Sequence, residues 1–416
     1  MSRETRRVAI TGIGCVTPIG EGADDLWDGL VRERSGVGRL TRFDPEPFRT
    51  HVAAEVSHFH PEDRLGPKRA RRIDRYSALA LTATAQALED AALDPASLDG
   101  DRVAVQMGSA LGGVAYAEEQ HGQYLSAGLR GVNPMLALSV YGGAGSCNIA
   151  IEHGFTGPNS TNAMSCASGA LAIGQAFRLV RSGEVDVAVA GGAEAPLAPL
   201  TFGAFAVIRA MSTRNQEPER ACRPFDAGRD GFVMGEGSAV LVLEEWRRAR
   251  RRDVPIYGEL CGFGTTNDAH HMTAPLPGGA QAARAMRLAL EDGGIGPGGV
   301  DYINAHGSST PLNDATEAEA IRSVFDGRAA VIRVSGTKAY YGHALGASGA
   351  IEAAITALSL SRDWLAPSLN LEEPGEGCDL RFVGAGGERF EAEHAMSNSF
   401  GFGGINVALL MRRPNA

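Results

Sequence analysis

The chain has 416 residues, 44% hydrophobic and 21% charged content and 54 glycines, which describes compact folded domains with many tight turns and excludes a disordered or fibrous protein. A net charge of −10 argues against a general nucleic-acid binder, and no apolar run approaches the roughly 18 residues of a membrane span. Six scattered cysteines form no C-x-x-C pair, so neither a zinc site nor a disulfide framework is expected.

The first seven residues are basic, but the apolar run after them ends at Thr11-Gly12 without a signal-peptide core, so the chain is expected in the reducing cytoplasm. Short β-rich runs then alternate with helical periodicity. Strands are predicted at Val8–Thr11, Val103–Met107, Val185–Ala190, Ala239–Leu243, Val300–Asn304, Val331–Ser335 and Val407–Met411. Helices are predicted at Ser77–Ala92, Ala167–Ser182, Ala280–Asp292, Asp314–Phe325 and Ala347–Ser361. Such alternation predicts an α/β fold with helices covering sheet faces.

Three segments stand out chemically. Cys166 lies among small residues where a helix begins, a place at which unpaired N–H groups and the helix dipole are expected to lower a thiol's pKa and to supply donors for an oxyanion. His306, with Ser308 and Thr310 close behind, sits in one polar, glycine-containing segment, and Lys338 and His343 in another. Only Lys68 and Lys338 are lysines among 39 basic side chains, so a lysine inside a candidate site suggests a need for a compact ammonium. The remaining cysteines read as buried apolar residues. No metal is expected, because the adjacent His270 and His271 have no clustered carboxylate or cysteine partners.

The tetrapeptide Ala-Ser-Gly-Ala occurs at 167–170 and again at 347–350, each time opening an apolar helix. A short strand and a Gly-Gly pair are expected after both helices, at Val185–Gly192 and Leu380–Gly387. This order predicts an internal duplication with halves at 1–255 and 256–416.

Taken with Arg223-Pro224-Phe225-Asp226, Asp230–Gly237 and Asn398–Gly404, these segments resemble the elongating β-ketoacyl-acyl-carrier-protein synthases, condensing enzymes of the thiolase fold. The resemblance implies two duplicated βα halves in a layered α-β-α-β-α core. It also implies a decarboxylative Claisen condensation of malonyl-carrier protein with an acyl chain held on Cys166, in fatty-acid or type II polyketide elongation. By the same resemblance, the backbone N–H groups of Cys166 and Phe402 form the oxyanion hole. His306 and His343 stabilise the enolate, and Lys338 and Glu352 complete the polar network. Leu111, Thr273, Ser308, Thr310 and Gly403 contact the acyl chain or pantetheine, and Phe402 acts as a gate. Phosphopantetheine arrives on the acyl-carrier protein and no cofactor is bound. The basic cluster Lys68, Arg69, Arg71, Arg72 and Arg75 would steer that acidic carrier, and the chain would pair with itself or with a chain-length-factor-like subunit. No nucleic acid or membrane partner is implied. A thiolase would be expected to carry a second cysteine where this chain has Gly401–Gly404, and a non-catalytic partner subunit would lack Cys166.

Three departures bear on the substrate. Tyr340-Tyr341 occupy positions usually filled by smaller or polar residues, Ile405 replaces a common threonine, and 141–146 is unusually rich in small residues. The last would admit a bulkier or stiffer chain if it lines the acyl tunnel.

Overall fold

A computed structural model describes residues 5–414. Its spine is a mixed sheet of twelve strands. The first half supplies β1 (Val8–Thr17), β2 (Val103–Gly108), β3 (Asn159–Asn162), β4 (Val187–Glu194) and β5 (Gly237–Glu245). The second supplies β6 (Gly258–Asn267), β7 (Tyr302–Asn304), β8 (Arg333–Ser335), β9 (Arg381–Phe382), β10 (His394–Gly401) and β11 (Ile405–Arg412). The remaining strand, Gly20–Glu21, pairs back on β1.

The order β3-β2-β4-β5-β1 recurs as β8-β7-β10-β11-β6. Directions recur too, with two parallel pairings at the outer end and two antiparallel ones inside. The two runs meet where Val8–Ile10 pairs with Gly258–Leu260.

Five helices cover these strands: α1 (Arg75–Asp90), α2 (Ser168–Ser182), α3 (Ala280–Gly293), α4 (Pro311–Phe325) and α5 (Ser348–Arg362). Leu79, Ala83 and Ala87 of α1 pack with Val105, Val189 and Val242 on one outer face. Met286 and Ala289 of α3 and Ile321 of α4 pack with Met396, Ala408 and Leu410 on the other. Between them lie α2 and α5, which touch strands of both runs through Ile173, Phe177, Ile351, Ile355 and Leu358. The result is the expected sequence of helix, sheet, helix, sheet and helix layers. Because α5 is enclosed from both sides, it is buried continuously from Ser348 to Leu360, as its nearly unbroken run of small and apolar residues requires.

Glycines set the closest approaches. A Cβ on Gly169 would stand 3.0 Å from the Cβ of Ala350, and one on Gly349 would stand 2.8 Å from the Cβ of Ala170. The duplicated tetrapeptide is therefore the point where α2 and α5 touch, and glycine is what admits backbone against backbone there.

Strand β6 was not among the predicted strands, because Gly258, Gly262 and Gly264 weaken its pattern. Side chains at 262 and 264 would stand 2.2 Å and 2.0 Å from carbonyl oxygens of α3, so these glycines mark a helix laid directly on the strand. Strand β10 was hidden by its buried Ser397, Asn398 and Ser399, and β3 by being a polar edge strand. The Leu380–Gly387 expectation is corrected: only Arg381–Phe382 forms a strand there, at the sheet edge, and β10 holds the position equivalent to β4. Helices at Gly22–Val31, Val114–Ala127, Ala144–His153 and Pro199–Val207 were also unpredicted. Among the described residues no helix is long and apolar enough to cross a membrane.

Candidate active site

Cys166 sits in a 3-10 turn, Ser165–Ala167, that leads directly into α2. Ser165 before it is held at φ +50°, a left-handed conformation that swings the chain sharply at the thiol. The pseudo-equivalent turn Leu345–Ala347 has the same form, with Leu345 at φ +40°, and there Gly346 takes the place of the cysteine.

Gly401, at the end of β10, brings its backbone so close that an added Cβ would lie 3.1 Å from the Cys166 nitrogen. The Phe402 N–H lies near enough to the sulfur to favour its thiolate. The Gly401-Phe402 backbone thus lies against the Cys166 backbone at the thiol. Burial is the strongest influence on the thiol and pushes it above its ordinary value, while the Ser165 hydroxyl, the Lys338 charge and the Phe402 N–H pull it back. The expectation of a lowered thiol, drawn from the helix end alone, omitted this desolvation.

His306 follows β7, and its backbone N–H and that of Gly307 each donate to Glu317 of α4 at 2.8 Å. Lys338 Nζ lies 3.3 Å from His306 Nδ1 and also donates to the His306 carbonyl and to Glu352. An ammonium can only donate, so Nδ1 accepts and the neutral imidazole carries its proton on Nε2. His343 is pinned by its backbone to Val233 and Gly235, which explains the adjacent Asp230–Gly237 motif. Its Nδ1 shares a 2.9 Å hydrogen bond with Ser348 Oγ. The two imidazoles lie edge to face with centroids 5.4 Å apart. Burial, with the Lys338 charge, pushes both well below the usual histidine range, so both are neutral near pH 7.

Cys166, His306 and His343 line one cavity of about 480 Å³, together with Leu111, Thr273, Ser308, Thr310 and Phe402. Phe402 stacks on Phe205, with centroids 6.4 Å apart. Three expected site residues are not on the wall. Gly403 donates to the Met272 carbonyl at 2.8 Å and accepts from Asn267, tying the turn after β10 to the 267–272 loop. Lys338 and Glu352 are completely buried behind His306 and reach the cavity only through it. The Ser308 and Thr310 hydroxyls bond each other at 2.8 Å, and Thr310 also caps α4. Gly142, from the small-residue segment, is also off this wall, packed behind Gly112 next to Leu111.

Sequence reasoning missed Glu317, Ser348 and Glu194. Glu194 is buried at the end of β4 and accepts from the backbone of Ala110, Leu111 and Gly346, so it anchors the Leu111 loop. The partners of Glu317 and Glu194 are set by the tertiary fold, and Ser348, although it lies in the duplicated tetrapeptide, gives no sequence sign of its bond to His343.

The basic cluster divides. Lys68, Arg71 and Arg72 are exposed, and Arg69 pairs with Glu152. Arg75 is corrected: it chelates the buried Glu236 through Nε at 2.8 Å and Nη2 at 2.9 Å, and also donates to Val56 and Phe59 carbonyls, so it belongs to the structure and not to a docking surface.

The N-terminal domain of beta-ketoacyl synthases matches residues 5–249 and the C-terminal domain matches 257–372. The chain is 41% identical over 410 residues to 3-oxoacyl-[acyl-carrier-protein] synthase 2 of Staphylococcus aureus strain COL, covering 99% of both chains. Among solved structures it is similar to a type II polyketide ketosynthase in complex with its acyl-carrier protein and bound to the hexaketide, at TM-score 0.91 and 33% identity, covering 98% of this chain and 99% of that one. It is similar to the ishigamide ketosynthase/chain length factor at TM-score 0.92 and 33% identity, with the same coverage. With both family domains in succession and a cysteine and two neutral histidines on one cavity, the chain belongs to the β-ketoacyl synthases, acyltransferases of the thiolase fold.

Proposed function

We propose that the protein extends an acyl chain by decarboxylative condensation, with Cys166 as the nucleophile and His306 and His343 as the donors that hold the enolate. The convergence of Cys166 with two neutral imidazoles on one cavity carries this reading. The Cys166 sulfur attacks the thioester of an acyl-carrier protein, and its proton passes to the departing pantetheine thiolate. The oxyanion is met by the N–H groups of Cys166 and Phe402. Malonyl-carrier protein then enters and its carboxylate leaves as CO₂. The electron pair left behind forms an enolate, whose oxygen accepts from the Nε2–H of His306 and from His343. The enolate carbon attacks the Cys166 thioester, the sulfur leaves and is protonated, and a 3-ketoacyl chain two carbons longer departs on the carrier protein. In this scheme phosphopantetheine is brought by the carrier and no resident cofactor takes part. Phe402, leaning on Phe205 between flexible glycines, gates the cavity.

The test supplies the purified protein with acyl- and malonyl-carrier protein. One CO₂ per 3-ketoacyl product is expected. Turnover with acetyl-carrier protein as extender, and none with malonyl, would make the chain a thiolase, and no acylation of Cys166 at all would make it a non-catalytic subunit.

Exposed Ile151, on the helix packed against the free edge strand β3, and Met164, just after that strand, support a second subunit over this edge, either a second copy or a chain-length-factor-like chain. The likeness to type II polyketide ketosynthases supports a bulky or unsaturated chain, although the small residues 141–146 do not line the cavity, and a preference for saturated acyl-carrier protein would favour fatty-acid elongation instead. The six free thiols suit the cytoplasm.

Exposed Lys68, Arg71 and Arg72 are proposed to steer the acidic carrier. Reversing Arg71 and Arg72 to Glu is expected to raise the KM for acyl-carrier protein several-fold and to flatten its salt dependence, because exposed charges are screened over about 8–10 Å near physiological ionic strength. The kcat with a small acyl-pantetheine thioester is expected to stay within about twofold, since that substrate has no protein surface to steer.

A further inference from the structure

We infer that the Tyr341 hydroxyl is a positioning group for the condensation site, holding the Glu352 carboxylate as the counter-charge of Lys338 and thereby keeping His306 turned with Nε2 toward the cavity. The inference rests on the role proposed above for His306.

Tyr341 is completely buried on the single helical turn Lys338–Tyr341. Its hydroxyl lies 3.4 Å from Glu352 Oε1 and 3.1 Å from Thr337 Oγ1. Thr337 donates to Asn304 Oδ1 at 3.2 Å, and Asn304 Nδ2 donates to the Glu352 carbonyl at 3.2 Å. These groups join the 337–341 turn, β7 and α5 around Glu352, and because the Thr337 proton goes to Asn304, the single Tyr341 proton is the one available to Glu352 Oε1 and Thr337 Oγ1. Its carboxylate is unevenly served. Oε1 takes both Lys338 and Tyr341, while Oε2 is buried without a partner. Few donors hold this charge in a dry interior, so each one weighs heavily.

The neighbouring Tyr340 marks the contrast. Also buried, it directs its hydroxyl to the Pro367 carbonyl at 3.2 Å, away from the network. A phenylalanine at 341 would fill the same space as the ring of Tyr341. What the hydroxyl adds is the hydrogen bond to Glu352, and a buried hydroxyl is costly where it is not used.

The groups facing Glu352 are Lys338 and Tyr341 from the turn, Glu317 from α4 and Tyr302 from β7. Burial pushes Glu352 up to about 7, Lys338 and the Tyr341 hydroxyl pull it down, and Glu317 pushes it up. Without the hydroxyl the carboxyl is protonated at a higher pH. Lys338 then loses its counter-charge over a range in which the intact site still keeps it, and the group that fixes His306 is released.

The test is the pH profile of malonyl-carrier-protein decarboxylation in Tyr341→Phe, with Cys166 acylation measured in parallel. The acidic limb is expected to move up by about half to one pH unit, which is about three- to tenfold less decarboxylation on that limb, with recovery above about pH 8. Acylation is expected to change less than about twofold. In a Glu352→Gln background, where no carboxyl titrates, Tyr341→Phe is expected to leave the limb where it stands. A limb that coincides with that of the unsubstituted protein overturns the inference, as does a loss equal at every pH and equal in both half-reactions, which would make the hydroxyl a packing element. If Tyr341→Phe fails to fold, 3-fluorotyrosine placed at Tyr341 keeps the shape and strengthens the donor. The limb must then move to lower pH, and a stationary one overturns the inference. Absence of decarboxylation in the unsubstituted protein would instead remove the proposed function itself.

Discussion

Cys166→Ala is expected to abolish condensation, lowering kcat by about four orders of magnitude or more, because among the described residues on the cavity wall Cys166 is the only thiol. The fold should survive. Cys166 is 7% exposed and the change removes one heavy atom, a loss of about 1 kcal/mol, so the melting transition should remain cooperative and fall by only a few degrees. A mass shift of one acyl group on the intact protein, lost in Cys166→Ala, is the direct measurement. An unchanged condensation rate would remove Cys166 from the chemistry. Cys166→Gln should separate the half-reactions further. The amide places a carbonyl where the acyl-enzyme carbonyl would stand, beside the Phe402 N–H, so decarboxylation of malonyl-carrier protein should persist or rise while condensation stops.

His306→Ala and His343→Ala are each expected to reduce decarboxylation by about 10²–10³-fold, the usual cost of removing one donor from a developing oxyanion. Acylation of Cys166 should remain measurable in both, since the oxyanion donors for that step are backbone N–H groups. Single-turnover assays of the two half-reactions test this. Equal loss of both steps in one variant would assign that histidine to activating the thiol. The surroundings favour His343 as the one to show some loss of acylation. His306 has its tautomer fixed by Lys338, whereas the Ser348 hydroxyl beside His343 can donate or accept and so leaves His343 Nε2 free to act as base or donor.

Residues whose chemistry is intrinsic to their type and immediate neighbours were legible in the sequence. Cys166 at a helix start, the two histidine segments and the tetrapeptide that opens α2 and α5 announced both the site and the duplication. What could not be read was whatever depends on distant partners. Arg75 is indistinguishable from Arg71 in sequence, and only the buried Glu236 makes one structural and leaves the other exposed. Lys338 and Glu352 belong to the network as expected, but one layer behind the cavity wall. Glu317 lies on a helix whose local sequence calls for no carboxylate, and Ser348, inside the duplicated tetrapeptide, gave no sign of its bond to His343. Strand β6 was obscured by glycines that only α3 explains, and the direction of the thiol's shift depended on desolvation.

The contact of α2 with α5 at Gly169 and Gly349 also limits how the molecule can move. Cys166 lies just before one of these helices and His343 just before the other, and the helices meet backbone to backbone with no side chain between them to change rotamer. Closure of one half upon the other as rigid bodies would have to break that seam, so the distance between Cys166 and His343 is expected to stay constant while substrates bind. Any motion that admits and releases two successive carrier-borne substrates is then expected at the rim, in the 267–276 loop and the 401–404 turn that hydrogen-bond each other. On that expectation, substitutions in the 267–276 loop and the 401–404 turn should alter the order and speed of substrate entry while the chemistry beneath keeps its geometry.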